Sequence, residues 1–426
     1  MKLINQISNN QRYFIFLLLV CIATIIFCFM YVTKFSYMVD ENNNLIFENI
    51  PFGNGPLVIN LIENGIYSSK FVNNIEFVLQ KLPVLPLLLF GISKLSSNFY
   101  LVVIIKNLIT FSFIYWILYF YLRSLNFHIN YAILYLAVFL VPYNLFVALN
   151  FEFADNITSI LLPCLFLVLI SSMKNKYTLS AVIIFILYLT KTSMFFLCLG
   201  IPVITFFIEN NQNFRIKKKI IFLGPIFAII LWGTFSFIKT DRFAIGTSSL
   251  TVNSFGLTLA SDPRFFDYYP LKSIDLLQAK IEVPKDLENE WDVFNYFKLK
   301  NDKYLSNKEN LTRYIMTVPK KIFIILFNIK RDSANPDENG NFNNDIRYSM
   351  IFNKIFLNVS ILISLYYVYL GVRERKLYRH DIIFLSILGL TLLPLVAGWA
   401  TSKHLVPISI LSYFYLINKY LNLFKK

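Results

Sequence analysis

Apolar runs of about 20 residues recur along this chain, and no other property of the sequence constrains its fold so tightly. Tyr13–Val32 carries no charge at all, and Phe99–Leu122 carries no acidic residue. Of the 426 residues 56% are hydrophobic and only 15% are charged, against about a quarter in ordinary soluble domains. The chain reads as an all-α polytopic membrane protein lying in the lipid bilayer. Tyr13–Val32 is longer than the core of a signal peptide and no small-x-small site follows it, so this first span is expected to stay as an anchor. Cys21, Cys28, Cys164 and Cys198 all sit inside apolar segments, which gives neither a disulfide framework nor metal-ligand spacing.

The net charge of +15 does not point to nucleic acid, because most Lys and Arg residues fall in short loops between spans. Lys2 and Arg12 precede the first span. Arg123, then Lys174 and Lys176, then Arg215, Lys217, Lys218 and Lys219 follow in later loops. Arg373, Arg375, Lys376 and Arg379 form the next group, and Lys419, Lys425 and Lys426 the last. With all of them cytoplasmic the positive-inside rule holds at every turn, both termini are cytoplasmic and the spans number about ten. The expected spans are 13–35, 99–122, 131–149, 157–172, 178–190, 193–208, 219–238, 352–371, 381–398 and 404–421. This parity requires that Pro83–Leu95, short and opened by a Leu-Pro-Val-Leu-Pro kink, be interfacial and not spanning.

Three regions follow. Residues 1–238 form an N-terminal membrane core with an external loop at 36–98, and residues 239–350 an external polar segment between spans seven and eight. Residues 351–426 form a C-terminal three-helix membrane segment. The polar segment carries turn signals at Asp262-Pro263, Asn335-Pro336 and Asn339-Gly340. It also holds a mixed-charge helical run near Asp286–Lys308 and a short apolar stretch, Val318–Ile329, expected to be interfacial.

Ionisable residues at the bilayer boundary are expensive to keep, which makes them functional candidates. Asp40, Glu41 and Glu48 lie in the first external loop, and Glu152 and Asp155 interrupt an apolar run at what the topology makes the same face. Lys191, Lys403, His404 and, about two turns into its span, Lys106 are the cations at matching depth. Each has a plainer reading. The loop acids serve as solvated charges or as a turn, Asp155 as a helix cap, and Lys403 and His404 as interface anchors. Lys106 and Lys191 serve as partners of neighbouring helices. His128 and His380 are expected to be solvated in cytoplasmic loops.

The order of these residues carries a resemblance. Glu48 stands twelve positions before Asn60-Leu61, then come Gly65-Ile66-Tyr67-Ser68 and Lys81-Leu82-Pro83-Val84-Leu85-Pro86-Leu87-Leu88-Leu89. Further on stand Lys106-Asn107, Asn150-Phe151-Glu152, Leu189-Thr190-Lys191-Thr192 and Lys403-His404-Leu405-Val406-Pro407. In this register the chain resembles the C-type (GT-C) integral-membrane glycosyltransferases that use polyprenyl-phosphate sugars, such as protein mannosyltransferases and lipid A aminoarabinose transferases. It departs from them in having Glu for Asp at position 48 and Lys for Arg at 106 and 191, and in lacking a proline after Lys191. The resemblance implies Glu48 as base, with Asp40 and Glu41 as rivals, and Glu152 and Asp155 as the second acidic site. Lys191, Lys403, His404 and Lys106 would hold the carrier phosphate.

The chemistry asks for the same residue types. Attack of an acceptor hydroxyl on the anomeric carbon needs one carboxylate to take the proton. The departing polyprenyl phosphate needs fixed positive charge and no general acid. The expected function is therefore inverting transfer of a sugar from a polyprenyl phosphosugar donor to a glycolipid, polysaccharide or protein acceptor, at the external face of a bacterial cytoplasmic (inner) membrane. The alternatives are an O-antigen or capsule polymerase or ligase, and a flippase or other transporter of polyprenyl-linked sugars. No metal site is expected: Asp337-Glu338-Asn339-Gly340-Asn341 has its glycine at the fourth position and not the sixth of a calcium loop. No other cofactor is expected, although the resemblance leaves room for a divalent cation.

Overall fold

A computed structural model describes residues 39–50, 54–72, 75–79, 81–127, 129–140, 154–208, 215–244, 284–327, 344–397 and 405–423. These residues are almost entirely helical. The first part contains α1 (Asn54–Asn64), a hairpin of β1 (Ser69–Val72) and β2 (Ile75–Phe77), α2 (Val84–Ser93), α3 (Phe99–Ser124) and the short α4 (Ala132–Ala137). Next come α5 (Asp155–Ile170), α6 (Lys176–Tyr188) and α7 (Phe195–Ile208). Then α8 (Arg215–Lys219) leads through one 3-10 turn into α9 (Leu223–Thr240). The last part contains α10 (Glu290–Leu305), α11 (Lys308–Phe327), α12 (Asn344–Arg373), α13 (Arg379–Ala397) and α14 (Leu405–Leu423).

Among the described residues, two helices are long and apolar enough to cross a membrane, Phe99–Ser124 and Lys217–Thr240. In the first, Asn98 caps the start by accepting from the backbone N–H of Tyr100 and Leu101, and Arg123 occupies the last turn. Its 26 residues span about 39 Å. One face, including Val102, Phe111, Ile114 and Leu118, is buried, while Leu101, Ile109, Trp116 and Phe120 are exposed. A helix that is apolar both inward and outward is poorly suited to water on its outer side. The α2 helix is ten residues, about 15 Å, and cannot cross a bilayer about 30 Å thick.

The centre of the bundle is α5, with every side chain from Asp155 to Leu169 buried. Helices α3, α6, α13 and α14 pack around it. Ser360 lies 3.4 Å from Ser409, and Ser364 donates to the Ser412 carbonyl, so α12 and α14 run in the same direction.

Side-chain ties identify the two ends. At one end Tyr121 of α3 donates to Asn418 of α14, the Arg379 guanidinium donates to the Leu169 carbonyl at the end of α5, and Lys419 pairs with Asp381 at 2.8 Å. Arg123, Lys174 and Lys176 belong to this end by the direction of their helices. The opposite end carries the starts of α3 and α5 and the polar loops. There the Phe99 N–H donates to Asn43 and the Val84 N–H to Leu189.

Two polar segments far apart in sequence meet at that opposite end. Ile75 and Phe77 of the hairpin form a small apolar cluster with Val293 and Phe297 of α10. The buried Glu290 carboxylate accepts the backbone N–H groups of Val78 at 2.8 Å and Leu79 at 3.0 Å. A capping box between Asn289 and Asp292 starts α10 just where that carboxylate is required. The hairpin is absent from a purely helical reading of the sequence. The short apolar stretch expected from Val318 belongs to a helix that already begins at Lys308.

Candidate functional site

Asp155 is the first residue of α5, but its side chain is not the helix cap. The cap position is Ala154, which offers no side-chain bond. The Asp155 carboxylate instead receives the Lys191 ammonium at 2.5 Å, with side-chain exposures of 5% and 17%. At that burial the pair is largely desolvated, so each charge depends on the other. Lys191 is extended between the end of α6 and the turn Thr192–Met194. Its backbone N–H donates to Leu187 and its carbonyl accepts from Met194. The acidic N-terminus of α5 also suits the helix dipole.

The first polar loop is fastened to the same turn. The Val84 N–H, at the start of α2, donates to the Leu189 carbonyl at 3.2 Å. The Tyr67 hydroxyl donates to the Lys81 carbonyl at 2.8 Å, and its ring stands edge-on to Trp232 and Phe235 near the end of α9. Burial raises the Tyr67 hydroxyl well above the usual phenol range, so it stays a neutral donor. Gly65 takes a left-handed φ of 66° that lets the chain turn back, and Asn60 donates to Ser68 to close that turn. The Gly-Ile-Tyr-Ser turn, the Lys-Leu-Pro helix start and the Leu-Thr-Lys turn are thereby one connected assembly.

Asp40 is committed to its own loop. Its carboxylate accepts the N–H groups of Asn42 at 2.8 Å and Asn44 at 2.7 Å, and the Asn44 side-chain amide. Hydrogen bonds from Asn44 are the largest cause holding its carboxyl below the usual value of 3.8. A depressed folded pKa contributes stability above the unfolded value, and this is lost as pH falls through the folded pKa. The Asn42 and Asn44 amides are therefore expected to lose protection, after correction for intrinsic exchange, only at pH below 3.8. Hydrogen exchange on the native protein and on Asp40→Asn checks this, the variant showing no such step.

Glu41 is exposed beside this turn. Glu48 lies in a one-turn 3-10 helix, Phe47–Asn49, and its side chain lies outside the described residues, as do Glu152, Lys403 and His404. The turn that carries Glu48 rests on Gly55: a Cβ there would stand 1.9 Å from the Phe47 carbonyl and 2.7 Å from that of Ile50. Both obstacles are backbone. Gly55→Ala is expected to cost about 1–3 kcal/mol and to loosen the 47–50 turn, seen as a lower Tm and faster proteolysis there. Lys106 is fully buried in α3 beside the equally buried Asn107, about 10 Å along the helix from Phe99. Among the described residues no group of three or more His, Cys, Asp or Glu side chains is arranged to hold a metal ion.

Two carboxylates escaped the sequence reading. Glu290 sits in a charged helix where nothing marks it as buried. Asp381 is completely buried at the other end of the bundle, held by Tyr415 at 2.7 Å, Lys419 at 2.8 Å and the Tyr378 N–H at 3.0 Å. His380, expected in solvent, is the second residue of α13, stacks on Tyr378 and stands 3.4 Å from Asp381. The signal was present: an acid opening an apolar run, with a lysine one long helix away.

Fold and site together define an all-α protein with a buried ion pair beneath a tied-down polar loop. No family model, curated protein or solved structure matches the chain.

Proposed function

We propose that this protein is an inverting, polyprenyl-phosphate-sugar-dependent glycosyltransferase of the C-type class, with about ten spans in a bacterial cytoplasmic membrane, its termini cytoplasmic and its site external. The observation that carries the reading is the Val84-to-Leu189 tie beside the Asp155–Lys191 pair. It joins a cation and a carboxylate inside an apolar bundle to the loop that contains Glu48. The apolar outer faces of α3 and α9 and the gathering of basic residues at the far end support the membrane placement.

In this reading Glu48 takes the proton of the acceptor hydroxyl as its oxygen bonds to the anomeric carbon, and the bond from that carbon to the phosphate oxygen breaks. The electron pair leaves on the polyprenyl phosphate, which Lys191, Lys403, His404 and Lys106 stabilise. Asp155 fixes the Lys191 ammonium, and Glu152 positions the acceptor. The test incubates purified protein with a panel of polyprenyl phosphosugars and acceptor extracts, and follows release of polyprenyl phosphate. Release that needs acceptor and is lost in Glu48→Gln supports the reading; no release from any donor refutes it.

A further inference from the structure

The α11 helix turns an apolar stripe outward. Leu311, Ile315 and Ile322 are 40%, 58% and 42% exposed, and Pro319, between the last two, is exposed as well. Their spacing of four, four and three residues puts them on one face, about 16 Å long. Tyr314 and Val318, both half-buried, occupy a neighbouring face, and the helix packs on α10, α12 and α13. The face opposite the stripe carries the exposed Glu309–Arg313 ion pair, at 2.7 Å. Single exposed apolar side chains are ordinary on any protein, but a continuous stripe marks a surface that something covers. An apolar stripe on a helix otherwise rich in charge suits one that lies in the plane of a lipid surface.

The charge around the stripe identifies its cover. Lys298, Lys300, Lys303 and Lys308, all exposed, lead into it from the end of α10. Among them stand Leu299 at 69% and Leu305 at 36% exposure. From Lys298 to Lys321 the sequence has seven Lys and Arg residues and two acids, Asp302 and Glu309, the second already paired. Lysines interleaved with open leucines suit a dry protein interface badly, because each ammonium would be desolvated without a carboxylate to meet it. At an anionic bilayer the same arrangement is favourable. The leucines and the aliphatic stems of the lysines enter the boundary of the acyl chains, while the ammonium groups reach lipid phosphates.

We propose that α11 and the end of α10 form an anchor lying in the headgroup layer of an anionic bilayer, with Leu311, Ile315, Pro319 and Ile322 toward the acyl chains. The contact starts well ahead of the Val318 stretch, and the lysines of α10 with Lys308 make it selective for anionic lipid. Because Glu290 at the start of α10 holds the hairpin, the anchor also fixes the first polar loop at the membrane surface. It rests on the placement of the bundle in a membrane and not on sugar transfer. The test reconstitutes the full chain in nanodiscs of equal parts phosphatidylcholine and phosphatidylglycerol with matched acyl chains. The photo-crosslinker benzoylphenylalanine is placed at one position at a time, and its adducts are identified by mass spectrometry. At Ile315 and Ile322 lipid adducts are expected, with phosphatidylglycerol favoured about 3-fold or more. At Ile230, exposed on the outer face of α9, the two lipids should react equally. At Arg313, on the opposite face of α11, no lipid adduct is expected. Lys298→Gln, Lys303→Gln and Lys308→Gln together should abolish the preference at Ile315. Lipid adducts at Ile230 but none at Ile315, or equal yields at Ile315 and Arg313, overturn the anchor. Equal reaction of the two lipids at Ile315 overturns its selectivity, and adducts there to a second copy of the chain overturn its lipid partner. No lipid adduct at any position overturns the membrane placement and the anchor together.

Discussion

Replacing Lys191 with methionine is expected to destabilise the protein by about 3–5 kcal/mol, because it leaves the Asp155 carboxylate buried without its cation. Transfer should be lost as well, since the same ammonium is proposed to face the carrier phosphate. The two losses separate in a double-mutant cycle. Adding Asp155→Asn removes the stranded charge, so Lys191→Met with Asp155→Asn should recover most of the stability while transfer stays absent. Lys191→Arg keeps the charge and should retain both. Thermal melts in detergent and release of polyprenyl phosphate give the two readouts. A double variant that regained activity along with stability would reduce Lys191 to a structural ion pair.

This pair shows what was legible in the sequence and what was not. Lys191 stood out because a cation within an apolar run demands a reason, and the reason is now visible. Asp155 stood out too, as an acid at the same face, but its pairing with Lys191 did not: it lies 36 positions away and has a plausible local use as a helix cap. The choice between local and distant use depends on how α6 returns along α5, which no local pattern records. The opposite happened at Asp40. It is conspicuous in Asp-Glu-Asn-Asn-Asn, yet its carboxylate is used by the two amides that follow it. Helices set by apolar runs were legible to within a few residues, as at Phe99–Ser124 and Asp155–Ile170, because burial and length determine them together. The hairpin was not legible. Its strands are only four and three residues long and depend on α10, more than 200 residues away, for their apolar cover.

The same distance explains why the two polar segments could not be joined from sequence. Glu290 reads as one more acid in a charged helix, and only its acceptance of the Val78 and Leu79 amides shows that it holds the hairpin in place. Polar residues that lock a loop and polar residues that do chemistry look alike until their donors are known. Here Asp40 and Glu290 have their donors within the protein, whereas the cation of the Asp155–Lys191 pair lies beside the tied loop.

Asp381→Leu is expected to be as destabilising as Lys191→Met, about 3–5 kcal/mol, and to leave transfer per folded molecule unchanged. The carboxylate has no exposed surface and gathers donors from α14 and from the turn before α13. Removing it orphans the Tyr415 hydroxyl and leaves the Lys419 ammonium against two aromatic rings, Tyr378 at 5.2 Å and Tyr415 at 5.7 Å. Those rings and the 18% exposure of Lys419 allow it partial relief, which places the loss toward the lower bound. Adding Tyr415→Phe and Lys419→Met should restore much of the stability, since a buried charged cluster replaced as a whole by apolar side chains is often neutral or better. The Tyr415 ring already stacks on Phe384 at 4.3 Å, so Phe fits the position without rearrangement. Tm values of the single and triple variants, with transfer rates normalised to folded protein, test this. Asp381 lies at the basic end of the bundle, and a selective loss of transfer in a stably folded triple variant would show that the two ends are coupled.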